Sequence, residues 1–74
     1  MIHGIYIRSK PKNKWHLFSV AISSEAANNE VNVCKKQAIA NGNDEAQVAI
    51  QIFDSMFWIP EYVDNLKEHK PLYN

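Results

Sequence analysis

Only two glycines and one cysteine occur among the 74 residues. Gly4 and Gly42 are too few and too far apart for a phosphate-cradling loop. Cys34 stands alone, so no disulfide forms within one chain. With no basic-then-apolar leader at the N-terminus, that lone thiol is what a reducing cytoplasm would predict. No apolar run approaches the ~20 residues a membrane helix needs, so no membrane association is expected. The formal net charge is zero. That argues against a strong general affinity for nucleic acid or anionic lipid.

What remains is an ordinary globular composition, 46% apolar. It reads as a single small α+β domain over residues 1–74. A chain this short buries only roughly 60% of the surface its unfolded form exposes. Small domains often add disulfides, a metal or a second subunit. Here self-association is the aid that the residues leave open, and a homodimer is expected.

The pattern of apolar residues gives the element order β-β-α-β-α. In residues 4–9 Ile5 and Ile7 alternate with Tyr6 and Arg8, the period of a half-buried strand. Residues 10–14, KPKNK, make a turn around Pro11 and Asn13. Residues 15–23 continue the hairpin, with Phe18, Val20 and Ile22 on one face and Trp15, Leu17, Ser19 and Ala21 on the other. Ser23 or Ser24 then caps a helix whose stripe is Ala27, Val31, Cys34 and Ala38. Gly42 ends it.

Residues 45–55 read as a strand from their β-branched density, with a helix as the alternative periodicity. Pro60 suits the first position of a last, short helix over 60–68. The predicted architecture has two layers. The main helix lies on a small mixed three-stranded sheet, over Ile5, Ile7, Phe18, Val20, Ile22, Val48, Ile50 and Ile52.

The second sheet face, with Tyr6, Arg8, Trp15, Leu17, Ala21, Ala49 and Phe53, is half apolar and half polar. Something should cover part of it. The nearest candidate is FDSMFWIPEYV, residues 53–63, which crowds aromatics around a proline. It serves either as a lid on the chain's own core or as a surface kept for a partner. Large aromatic rings dominate interface energetics. The expected contact residues are therefore Trp15, Phe53, Phe57, Trp58, Ile59 and Tyr62, with Tyr6 at the margin. Their partner is a second copy or another protein.

A second constellation is basic. Arg8, Lys10, Lys12 and Lys14 place four cations and no acid in the first sixteen residues, with Tyr6, Trp15 and His16 interleaved. Rings that stack bases beside cations that track phosphates are the chemistry of single-strand binding. The bland counterpart is a solubilising hairpin tip.

Catalytic chemistry finds less. Cys34 with His3 or His16 would pair a nucleophile with a base, yet Cys34 lies on the inner helix stripe. His3, His16 and His69 lack ligand spacing, and no Cys-x-x-Cys exists. Asp54, Glu61 and Asp64 read as solvated acids, with no shared cleft to shift a pKa. The sequence thus predicts a non-catalytic interaction domain with no metal and no cofactor.

Overall fold

The computed structural model describes residues 1–55 and 58–69. Its elements are β1 (Ile2–Arg8), β2 (Trp15–Ala21), α1 (Ser24–Ala40), β3 (Gln47–Phe53) and β4 (Tyr62–Val63). The strands form one sheet in the order β3-β1-β2-β4, with every neighbouring pair antiparallel. The small α+β class agrees with the expectation. Residues 45–55 hold the strand rather than the helix.

Local chemistry explains the hairpin and the helix. Asn13 N–H donates to the Lys10 carbonyl at 3.0 Å, closing the turn between β1 and β2. The Ser23 hydroxyl accepts from Ala26 N–H at 3.1 Å and starts α1. At the other end Gly42 has φ +83°. That turn lets Asn43 N–H reach the Ala38 carbonyl and Gly42 N–H the Ile39 carbonyl, both at 2.9 Å, so these two carbonyls of the last turn are satisfied. Lys35 Nζ then bonds the Ala46 carbonyl and ties the helix to the start of β3.

Three expectations need correction. The sheet is four-stranded and wholly antiparallel, not mixed and three-stranded. The crossover through α1 skips a strand. β2 and β3 run the same way, but β1 sits between them, so no parallel pair is ever in contact.

The short helix over 60–68 is absent. Tyr62 and Val63 instead pair with His16 and Trp15 of β2, and residues 64–69 have no regular structure. A helix of that length is marginal alone. An extended segment offers its backbone to the open edge of β2: Leu17 N–H donates to the Glu61 carbonyl at 2.8 Å.

The third correction concerns β2. A β-bulge lies between the pairs Ile5–Ser19 and Tyr6–Leu17, so Phe18 is an extra residue on this strand. Because side chains alternate, one extra residue reverses every face beyond it. Ser19 and Ala21 turn toward the helix, whereas Val20 lies opposite Gly4 on the second face. Phe18 is 38% exposed and Ile22 79% exposed, in place of the core positions expected of them.

Two apolar clusters result. Beneath the helix lie Ile5, Ala21, Ala27, Val31, Cys34 and Val48, with Ile7, Ala26 and Ile50 against them. On the second face lie Tyr6, Trp15 and Ala49, joined by Leu17, Phe53, Val63 and Leu66. Among the described residues no helix is long and apolar enough to cross a membrane.

Candidate functional site

The second face is closed by the segment 58–69. It starts beside β2, where β4 pairs with Trp15 and His16. It passes beneath the sheet, where Val63 and Leu66 rest on the Tyr6–Trp15–Ala49 cluster. It finishes at the opposite edge, where His69 N–H donates to the Val48 carbonyl at 2.7 Å. The Tyr6 hydroxyl holds the middle, donating to the Pro60 carbonyl at 2.6 Å. Burial raises the Tyr6 pKa, so that hydroxyl keeps its proton. His69 Nε2 lies 3.2 Å from Asn28 Oδ1 on α1. The chain therefore straps its own sheet from edge to edge.

This arrangement divides the expected contact residues. Trp15 is fully buried, and Phe53 is half-buried against the same cluster. Gly4 explains how the rings fit. A Cβ there would lie 3.0 Å from both Phe53 Cε2 and Tyr6 Cε1, so a side chain at this position would crowd the two rings that close over β1. Ile59 is half-buried. Trp58 and Tyr62 face solvent, 82% and 58% exposed. Phe57 lies outside the described residues.

The basic residues are also divided. The Arg8 guanidinium lies 4.2 Å over the Trp15 ring, and Arg8 Nε donates to Gln47 Oε1 at 2.7 Å. Lys14 pairs with Asp64 at 3.8 Å across an exposed surface. Lys10 and Lys12 stay at the hairpin tip, where they line a shallow concavity with Pro11, Asn13 and Glu45. The hairpin end thus presents two lysines beside an acid. Trp15, buried under Arg8, offers no ring face for a base to stack on. His16 stacks on Tyr62 with ring centres 5.0 Å apart.

The remaining candidates do not converge. Cys34 is buried under the helix, and its pKa rises from an ordinary 9.0 to about 11. Burial is the main cause. The Glu30 carboxylate adds to it, and Lys35 opposes it. A thiol held so firmly protonated is a poor nucleophile. Among the described residues no three His, Cys, Asp or Glu side chains gather where a metal would sit. Asp54, Glu61 and Asp64 are all exposed.

A groove of about 330 Å3 opens beside the start of α1, lined by His3, Ser24, Ala27, Asn28, Ile50, Ile52 and His69. It brings two histidines together that the sequence holds far apart. His3 Nδ1 is buried there with no hydrogen-bond partner among the described residues.

Sequence reasoning missed the outer edge of β2 as a feature. A signal existed. Apolar residues fall at 15 and 17, then at 18, 20 and 22, so the alternation slips by one at the adjacent Leu17 and Phe18. A slip of that kind marks a bulge.

Comparison with known protein families, curated proteins and solved structures gives no match to this chain.

Proposed function

We propose that this protein is a small, non-catalytic interaction domain that associates with a second copy of itself. One observation carries the reading. Phe18, Ile22, Trp58 and Tyr62, from 38% to 82% exposed, all belong to β2, the residue that follows it, or the segment that covers part of its edge. Bare apolar side chains support a contact surface, and Met1, Val33, Ile39 and Ile52 add others elsewhere on the domain. The rest of the aromatic set supports the same reading by its burial. Trp15 and Phe53 complete the chain's own core, so the outward surface narrows to Trp58, Tyr62 and the side of β2. A buried, protonated Cys34 fits a cytoplasmic setting and a role without thiol chemistry.

Iodide quenching of tryptophan fluorescence tests this directly. In dilute protein Trp58 is quenched and Trp15 is not. On raising the concentration a hundredfold, the reading expects Trp58 to become shielded and the sedimenting mass to double. A Trp58 signal quenched equally at every concentration, with a monomer mass throughout, ends it.

A further inference from the structure

Of the asparagines in the chain, only Asn41 is followed by glycine. Asparagine is a thermally labile residue. Its side-chain amide is attacked by the backbone nitrogen of the next residue, and that approach is easiest where the next residue has no Cβ. Asn41 and Gly42 are both exposed at the end of α1. A Cβ built at Gly42 would meet nothing within 4 Å, so the space around the bond is open.

The fold holds this pair in an unreactive form. Asn41 has φ −87° and ψ 7°. A ψ near zero eclipses the Gly42 nitrogen with the nitrogen of Asn41 itself, which keeps it away from the Asn41 side chain. The Gly42 N–H is also engaged, donating to the Ile39 carbonyl, and the next N–H, of Asn43, donates to the Ala38 carbonyl. Ring closure needs ψ of Asn41 to rotate, and that rotation breaks both bonds. They are the outermost bonds of the helix end, and such ends open at far lower cost than the whole chain. The turn at Gly42 therefore guards the site without sealing it.

We propose that Asn41 is a self-modification site, converted to aspartate and isoaspartate when the last turn of α1 opens. The Gly42 nitrogen forms a bond to Asn41 Cγ. The bond from Cγ to Nδ2 breaks, and Nδ2 leaves as ammonia with the proton that Gly42 gives up. Water then opens the cyclic imide. Attack at Cγ restores the ordinary backbone with an aspartate side chain. Attack at the main-chain carbonyl routes the chain through Cβ and leaves the α-carboxylate as the side group. This site is separate from the self-association surface and does not depend on it.

Either product weakens the helix end. The new carboxylate lies against the C-terminal carbonyls, whose partial charge has the same sign, and the last turn holds no basic residue to offset it. Asp44 and Glu45 follow closely and add like charge. Isoaspartate also lengthens the backbone just before the N–H groups of Gly42 and Asn43, so their bonds to Ile39 and Ala38 lose register.

Peptide mass mapping of the whole protein, aged in mildly alkaline buffer below its melting transition, tests this. Asn41 should gain the mass difference between an amide and an acid ahead of every other asparagine, in two chromatographic forms. Guanidinium sufficient to unfold the chain should speed the conversion about tenfold or more, which measures the guarding turn. In the converted fraction the amides of Gly42 and Asn43 should exchange several-fold faster, while that of Val31 hardly changes. Asn41→Gln, whose longer side chain closes a larger ring far more slowly, should not convert. An Asn41 that converts no faster than the other asparagines overturns the site. Equal rates in folded and unfolded chains overturn the guarding role of the turn. Converted protein with unchanged Gly42 and Asn43 amides overturns the effect on the helix end.

Discussion

The two faces of the sheet are covered by opposite means. On one side a capped helix lays down a regular stripe of small residues, Ala27, Val31, Cys34 and Ala38, over Ile5 and Val48. On the other a strap with little regular structure of its own crosses beneath large rings, held at Leu17, Tyr6 and Val48. The helix satisfies its own backbone and needs the sheet only for burial. The strap must borrow hydrogen bonds from both sheet edges and one tyrosine. The helical side is therefore bound by many small contacts, and the strapped side by a few large ones. Both sides leave large apolar side chains in solvent, Trp58 in the strap and Val33 and Ile39 on the helix.

Core truncation on each side breaks this comparison most severely. Trp15→Ala should cost about 3–5 kcal/mol in urea denaturation, a large part of a small domain's stability. Val31→Ala removes two methyl groups and should cost about 2 kcal/mol. A Trp15→Ala cost below that of Val31→Ala would mean that the strapped face is not a core.

A smaller effect separates the faces by pH. In the folded chain the Cys34 thiol stays protonated to about pH 11, while its ordinary value is 9.0. Unfolding in that window releases a proton, so stability is intact below pH 9.0 and falls as pH rises toward about 11. Cys34→Ala should remove this part of the alkaline loss, read from denaturation midpoints between pH 8 and 11. An unchanged alkaline profile would place the thiol in contact with solvent.

The difference between the faces also governs how much of the molecule its residues reveal. The helix stripe is a periodic signal, and the buried positions of α1 match it residue for residue. The alternation in β1 and β3 is similarly plain, because no bulge breaks it. The strap carries no period at all. Its placement depends on the Pro60 carbonyl meeting Tyr6 and on His69 meeting Val48, partners 54 and 21 positions away along the chain. Such contacts leave no local trace. β2 is intermediate: one extra residue at Phe18 left the strand recognisable but reversed its faces beyond that point. Of the candidate site, the aromatic segment was legible as something to be covered or used. Which rings do which was not, since that depends on the long-range closure.

Native-state hydrogen exchange on wild type and Tyr6→Phe tests the strap most directly. Removing one hydroxyl costs about 1 kcal/mol of hydrogen bonding at Pro60 and leaves the helix side untouched. The amides of Leu17 and His69 should be protected in wild type, with opening energies below those of Val31 and Cys34. In Tyr6→Phe they should exchange several-fold faster while the helix amides hardly change. Leu17 and His69 amides that exchange at unprotected rates in wild type, or that respond no more than the helix does, would contradict a second face closed by its own chain.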